Sequence, residues 1–518
     1  MTAGAATAAL AASPIALILA LMLGLRWSAA RSGLAGLALA GLLAPVFFGF
    51  GRGDAAGAPG LGMSFAGVLA EGSFTAATIL WILWPALALH LHQQQCGAVD
   101  ALREGLARLT AERPLQALLV GWFLALFFEG AAGFGTPVAL AAPLLVGLGF
   151  APVPAVVLAL LGHAAGVSFG ALGTPVLAQV ALTGLDAVAI AWRTAGLQAA
   201  LGGLLMLFFM RMLRTQQEPG AAPVARLGTL PTAGWAALAA AGFLLPSLAL
   251  AAWLGPELAT LGAALVGAIL FITLLRRRGS ARGAPQRPAP APGLARALWP
   301  YAVLIALVFA TRAWTPLAEL LRGVVLQWQW QADFSGQMLP LAHPGTLLLC
   351  ALLLGALLQG VRPAQLVQPL LQSARRLLPV SVALIAMLCL SRLMLHAGMI
   401  EALQQAAVRG LGQGWPLVAP AVGALGSFVT GSATASNVLF TTLQAQTAQA
   451  LGLPVPLLVA AQGLGAAIGN IVCPHNIVAG AATVGLAGRE ADILRHTLWP
   501  CFLVLAGGGL LVFWLAQA

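Results

Sequence analysis

Along most of the chain, apolar residues run on for about the length of a bilayer span, and polar residues are confined to the gaps between runs. A membrane-crossing helix needs ~20 mostly apolar residues. Runs of that kind lie near residues 10–25, 33–50, 72–91, 194–210, 231–254, 257–275, 298–315, 344–361, 377–395 and 497–515. Two other stretches break the pattern in the same way. The first contains Glu129-Gly-Ala-Ala-Gly-Phe-Gly-Thr-Pro137, Pro152-Val-Pro154, Gly173-Thr-Pro175 and Leu182-Thr-Gly-Leu185. The second contains Thr430-Gly-Ser-Ala-Thr-Ala-Ser-Asn437, Pro454-Val-Pro456, Pro474-His-Asn476 and Thr483-Val-Gly-Leu486. The Pro-Val-Pro pairs are offset by 302 residues (152 to 454) and the Gly-Leu pairs by 301 (184 to 485), so a one-residue slip reconciles the copies.

Paired, interrupted apolar segments in the two halves of a membrane chain point to a transporter's binding site. The runs Leu115–Phe128 and Val138–Gly149 are short for full spans. They predict a re-entrant hairpin, followed by a crossing helix broken at Gly173-Thr-Pro or Pro474-His-Asn. Three full spans per copy would give the same topology. With one net crossing per repeat, the fold class is an all-α polytopic membrane protein of about 12 net crossings, with two inverted-topology repeats, re-entrant hairpins and broken helices. The expected divisions are N-terminal spans (1–114), a first repeat carrying Glu129 (115–210), a transmembrane pair (211–275), a linker (276–296), further spans (297–415), and a second repeat with the last helix (416–518).

Composition agrees with a membrane class. Hydrophobic residues make up 60% of the 518 and charged residues 8%, with a mean hydropathy of +0.95. Soluble domains carry about 25% charged residues, so this surface could not be solvated as a globule. Arg26 follows the first apolar run rather than preceding it, so no cleavable signal peptide is expected. The five cysteines (Cys96, Cys350, Cys389, Cys473, Cys501) are scattered and read as reduced packing residues.

The net charge of +11 comes from 25 arginines without a lysine. Their placement argues for topology rather than nucleic acid. They cluster at Arg26/Arg31, Arg103/Arg108/Arg113, Arg211/Arg214, Arg276 to Arg296, Arg362/Arg375/Arg376 and Arg489/Arg495. Cationic loops stay cytoplasmic during insertion, and the predicted spans put every cluster inside. Arg52, Arg193, Arg312, Arg322, Arg392 and Arg409 fall toward the other side, and both termini come out external. Copy one then enters from the cytoplasm and copy two from outside, which makes them inverted.

The stretch Arg276–Pro292 is rich in Pro, Gly and Arg and reads as a cytoplasmic tether, with anionic-lipid attraction as the functional alternative. Val99–Ala111 and Ala364–Arg376 are amphipathic and read as surface helices. Trp328-Gln-Trp330, within the external loop 317–343, reads as an interfacial anchor.

The chemistry must come from the few polar groups inside apolar segments. Glu129 ends an almost wholly apolar run at a glycine break. An intramembrane carboxylate is costly and is a functional candidate by default. Desolvation favours the neutral form of a carboxyl group, which suits proton uptake and release. The bland alternative is a structural acid pinning the hairpin tip. His163 and His475 are candidate proton or substrate groups, with packing hydrogen bonds as the alternative. Gly130, Gly133, Gly135, Thr136 and Thr174 mark the breaks of copy one. Ser432, Thr434, Ser436, Asn437, His475 and Asn476 mark those of copy two. Half-helix N-termini capped by such residues bind anions without a cationic side chain; local capping alone is the alternative. Arg193 and Arg392 flank this core, as carboxylate partners or as snorkelling residues.

At these residues the chain resembles the lactate permease family of proton-coupled monocarboxylate symporters. The run Phe128-Glu-Gly-Ala-Ala-Gly-Phe-Gly-Thr-Pro-Val-Ala139 carries the resemblance, together with Leu144-Leu-Val-Gly-Leu-Gly-Phe150 and Phe169-Gly-Ala-Leu-Gly-Thr-Pro175. In copy two it rests on Asn437-Val-Leu-Phe-Thr-Thr-Leu-Gln444 and Ala482-Thr-Val-Gly-Leu486. It covers about residue 33 to the end and is weak from 211 to 375. It implies uptake of L-lactate, and of glycolate or related 2-hydroxy acids, with a proton through the bacterial inner membrane. Two departures fall in copy two. Ala433 stands where the family usually has Asp, and Asn470 where it has Lys, as if an internal ion pair had been lost together.

Rival classes are a channel, which would need no coupling acid, and a sodium-coupled carboxylate transporter, whose Ser-Asn tip could ligate the ion. An intramembrane hydrolase would have only Ser432 or Cys473 near His475 to work with, so no enzyme is expected. No metal-ligand cluster and no phosphate loop occurs in the sequence, so neither metal nor cofactor is expected. The expected partners are a small monocarboxylate, a proton and the bilayer.

Overall fold

Proline and glycine punctuate the helices, and their positions explain where each begins and ends. The computed structural model describes residues 3–25, 27–52, 60–98, 101, 105, 109–110, 112–133, 136–214, 229–277, 294–330, 334–486 and 489–517. Proline lacks an N–H that the first helical turn would leave unpaired anyway. It opens six helices that matter here: α4 (Arg113–Ala131), α6 (Pro152–Ala164), α13 (Pro344–Leu358), α16 (Trp415–Thr430), α18 (Val455–Gly469) and α19 (Pro474–Thr483). Glycine in the left-handed conformation ends α16 at Gly431 (φ 73°) and α7 (Gly170–Thr183) at Gly184 (φ 68°).

The remaining helices are α1 (Ala3–Gly24), α2 (Ala29–Phe47), α3 (Leu61–Gln95), α5 (Thr136–Gly147), α8 (Ala187–Arg214), α9 (Thr229–Trp253), α10 (Leu261–Arg277), α11 (Leu294–Ala313), α12 (Thr315–Arg322), α14 (Val367–His396), α15 (Met399–Gly410), α17 (Ala433–Ala450) and α20 (Glu490–Gln517). A two-stranded antiparallel hairpin, β1 (Leu326–Trp330) with β2 (Phe334–Met338), pairs Trp328 with Gly336. Trp328 meets Phe74 edge-on at 6.0 Å, which seats the hairpin on α3. All ten predicted runs coincide with helices. Among the described residues, eight helices are long and apolar enough to cross a membrane, or up to ten if each of two bent pairs is one span.

Two findings refine the prediction. α3 is 35 residues long and begins at Leu61, so Glu71 lies inside a helix rather than at its edge. The amphipathic stretch 364–376 is no separate surface helix: a short 3-10 turn at Pro363–Leu366 runs straight into the 30-residue α14. The Arg/Pro-rich linker beyond Arg277 and most of Val99–Ala111 lie outside the described residues.

The long helices α3 and α14 pack against each other and, with α1, α2, α11 and α13, form a scaffold. Beside it sit the two repeats, α4–α7 and α16–α19, each a helical hairpin followed by a broken helix. In copy one the break bends the chain by 60° between α6 and α7. The copies engage reciprocally. α7 packs on α17, the second arm of the other hairpin, and α19 packs on α5, its counterpart. Reciprocity of that kind is what a two-fold relation between the repeats requires.

Close approach inside each repeat relies on glycine, as expected where there is no hydrophobic drive between helices in lipid. A Cβ at Gly162 would run into the Gly121 carbonyl of α4, within a seven-residue π-helical stretch (Leu118–Leu124). In copy two, Cβ atoms at Gly423, Gly465 and Gly469 would meet the carbonyls of Gln462, Pro420 and Ala424. Overpacking such a seam costs about 1–3 kcal/mol. Gly465→Val should therefore lower the thermal midpoint of the purified protein in detergent, read by tryptophan fluorescence. An unchanged midpoint would show that α16 and α18 do not depend on this contact.

Candidate functional site

Glu129 reaches the centre of the core because α4 ends there. Gly133, left-handed at φ 61°, turns the chain between α4 and α5, a conformation that favours glycine. The carboxyl group, 4% exposed, is held on both oxygens. Oε2 lies 3.0 Å from Nδ1 of His163, which is itself 1% exposed on α6. Oε1 sits against Gly170: a Cβ there would overlap it, and one at Gly133 would lie 3.5 Å away. Among the described residues, the buried Nε2 atom of His163 has no hydrogen-bond partner.

The break after α6 is irregular in an informative way. Ala171, Leu172 and Gly173 are consecutively left-handed, at φ 42°, 57° and 79°. Left-handed backbone costs a non-glycine residue roughly 1–2 kcal/mol, so the surroundings must hold the turn in place. Thr174 Oγ1 donates to the Ala171 carbonyl at 2.6 Å. From the other side, Pro256 lies where a Cβ at Gly173 would go, and Thr260 Oγ1 donates to the Gly166 carbonyl at 2.7 Å. The buried turn between α9 and α10 thus props up both sides of this break.

A cavity of about 40 Å³ lies between the copies. Copy one contributes Glu129, Gly133, His163, Val167, Gly170, Ala171 and Pro175; copy two contributes Gly431, Ser432, Ala433, Thr434 and Asn470. One water needs roughly 10–15 Å³ on this measure, so the space suits a few water-sized groups and not a drug-sized ligand. The N-terminus of α17 points its free N–H groups and partial positive charge at this space. Ser432 is its N-cap and accepts from Ala435 N at 3.3 Å.

Of the residues singled out from sequence, the cavity gathers Glu129, Gly133, His163, Ser432 and Thr434. Others are committed elsewhere. Gly130 packs against the Leu261 backbone. Thr174 secures the left-handed turn. Ser436 Oγ donates to Gly423 O at 2.7 Å, and Asn437 Nδ2 to Pro175 O at 3.0 Å. Asn476 Nδ2 donates to Asn470 Oδ1 at 2.5 Å. His475 is exposed and packs beside Gly431 at the cavity's edge. Gly135 and the Thr136 side chain lie outside the described residues. Asn470 holds Asn476 by a neutral amide contact, so this contact in the break of copy two carries no charge.

Sequence reasoning passed over a set of buried amides and hydroxyls. Ser168 Oγ donates to Gly463 O at 3.0 Å, Gln198 Nε2 to Ser168 Oγ at 2.9 Å, and Gln179 Nε2 to Val459 O at 2.7 Å. Together they lash copy one to α18. Their only signal was the presence of amides within apolar runs.

The sequence profile described as L-lactate permease matches residues 7–517. The chain belongs to the L-lactate permease family. Its sequence is 30% identical over 470 residues to an L-lactate permease of Salmonella typhimurium, covering 81% of each chain. It is 30% identical over 464 residues to an L-lactate permease of Escherichia coli K12, again with 81% of each covered. A glycolate permease of the same strain is 29% identical over 468 residues, also 81% of each. Among solved structures, MtrF of Neisseria gonorrhoeae aligns at TM-score 0.49 and 15% identity, covering 96% of both chains. YdaH of Alcanivorax borkumensis aligns at 0.46 and 15%, covering 88% of this chain and 87% of that one. As a member of this permease family, the protein is a multi-pass membrane transporter.

The geometry assigns Thr174 to the turn rather than to the cavity. Thr174→Val in this family member should lower unfolding stability by about 1–2 kcal/mol through the lost hydrogen bond and the stranded Ala171 carbonyl. Thr174→Ser, which keeps the donor, should stay close to wild type in the same thermal melt.

Proposed function

We propose that this transporter carries L-lactate, glycolate or a related small 2-hydroxy monocarboxylate into the cell with a proton, across the bacterial inner membrane. The observation that carries the reading is the buried Glu129–His163 contact at 3.0 Å on the wall of a cavity shared by both repeats.

The chemistry follows from counting charge. With Glu129 ionised and His163 neutral, the pair is negative and repels a carboxylate. His163 Nδ1–H then donates to Glu129, and Nε2 is left as an acceptor. A proton taken at Nε2 makes an imidazolium beside a carboxylate, a neutral pair that presents one N–H donor. A substrate carboxylate can accept from that donor and from the N-terminal N–H groups of α17. The proton therefore prepares the anion site, and its loss on the other side expels the anion. Neither ion is favoured alone, which is the requirement for symport. The 2-hydroxyl finds hydroxyl partners in Ser432 and Thr434. The inverted arrangement inferred from the arginine distribution would let the two sides be reached in turn.

A sodium-coupled variant of the same transport has one observation in its favour. Asn437 Oδ1 and Thr441 Oγ1, one helical turn apart on α17, are buried and have no hydrogen-bond partner among the described residues. They are the kind of neutral oxygens a sodium ion accepts.

Uptake of labelled L-lactate into proteoliposomes under an inward proton gradient, with and without sodium, separates these readings. Proton symport predicts gradient-driven, sodium-independent uptake that falls to near background in Glu129→Gln. It also predicts loss in His163→Gln, which cannot become a cation. A sodium requirement, or full gradient-driven uptake in Glu129→Gln, would falsify the mechanism.

A further inference from the structure

A second buried acid stands apart from the cavity. Glu71, 8% exposed on α3, has Oε1 3.3 Å from an Arg392 nitrogen (Nη1) and Oε2 2.8 Å from His396 Nε2. Both partners belong to α14, so the cluster lies in the scaffold. A buried ion pair is weak support for stability by itself, because desolvation offsets most of its attraction. Of the other two guanidinium nitrogens, Nε is buried and finds no partner among the described residues, and Nη2 is more telling. Nη2 donates to the Ala181 carbonyl at 3.1 Å.

Ala181 belongs to the last turn of α7, whose carbonyls have no helical partner. A cation at a helix C-terminus also meets the negative end of its dipole. The other end of α7 is the left-handed turn at Ala171–Gly173, directly after Gly170, against which Glu129 Oε1 rests. One short helix therefore has its far end on a scaffold arginine and its near end on the coupling carboxylate. The turn has strained, non-glycine residues in it, so its position depends on what restrains α7.

We propose that Arg392 is a positioning residue for transport. It clamps the far end of α7 to the scaffold and so sets where the left-handed turn, and with it the Glu129 carboxylate, comes to rest. Glu71, itself bonded to His396, holds the guanidinium on station, and Arg392 does not touch substrate. The inference rests on the cavity being the transport site, and its test is arranged so that the two can fail separately.

The variants are Arg392→Met, Arg392→Lys and the charge swap Glu71→Arg with Arg392→Glu. The swap restores an ion pair between α3 and α14 but leaves a carboxylate, which cannot donate, opposite Ala181. Amide hydrogen exchange across residues 170–183, in nanodiscs without substrate, reads the clamp directly. L-Lactate uptake kinetics in proteoliposomes read its effect on transport. Exchange should rise about tenfold in Arg392→Met and in the swap, the factor expected for one charge-assisted hydrogen bond. KM should rise in both, while Arg392→Lys keeps exchange and KM within about twofold. A swap with wild-type exchange and KM would overturn the proposal, because the arginine would then be only a counter-ion for Glu71. If Arg392→Met does not insert, the swap still decides. If the wild type takes up no lactate, the substrate reading fails, and the exchange measurement still decides the clamp.

Discussion

A helix that breaks inside a membrane leaves N–H and C=O groups without partners, and in hydrocarbon each costs several kcal/mol. Water is not there to take them. The chain meets this constraint in copy one with side-chain hydroxyls at the break, Thr174 on the Ala171 carbonyl and Thr260 on the Gly166 carbonyl. Buried amides and hydroxyls tie the two repeats together. Asn437 of copy two serves the Pro175 carbonyl of copy one. Ser168 and Gln179 of copy one satisfy their own side-chain donors on the Gly463 and Val459 carbonyls inside α18 of copy two. The turn between α9 and α10 adds cover at the break of copy one, with Thr260 on the Gly166 carbonyl and Pro256 against Gly173. A cavity with polar walls is the by-product of that mutual cover, and its location needs no further cause.

Charge is distributed unevenly between the copies although their backbones correspond. Copy one brings an acid and a histidine to the cavity. Copy two brings a capped helix N-terminus and amides, with Asn470 and Asn476 bonded to each other and Ala433 on the wall. The division suits a carrier of a small anion. In the proposed mechanism one half exchanges the proton, and the other offers the fixed dipoles of a helix N-terminus.

The spans were legible because hydropathy alone marks them, and the breaks because Gly, Pro and Ser interrupt apolar runs at matched offsets. Glu129 and His163 were each visible as polar residues in apolar segments. Their contact was not, since nothing in a spacing of 34 residues states that two helices cross there. Glu71 escaped notice because it stands at the margin of its apolar run. Only the observed length of α3 and the packing of α14 put it inside. Arg392 was left between pairing and snorkelling, and three-dimensional proximity decided for pairing. Thr174, Ser436 and Asn437 show the converse: a polar residue at a break is as readily spent on backbone carbonyls as on a ligand, and sequence does not distinguish the two.

The left-handed turn at Ala171–Gly173 bears on speed and heat tolerance. Two of its three residues carry side chains that disfavour the conformation, so the resting state sits higher in energy than an all-glycine turn would make it. A raised starting point shortens the climb to any rearrangement in which the turn relaxes. The same stored energy is missing from the margin against unfolding. For a transport cycle in which the turn relaxes, faster cycling and earlier melting are bound together at one place in the chain. Temperature adaptation in relatives should then show itself there as a choice between glycine and larger residues at positions 171 and 172.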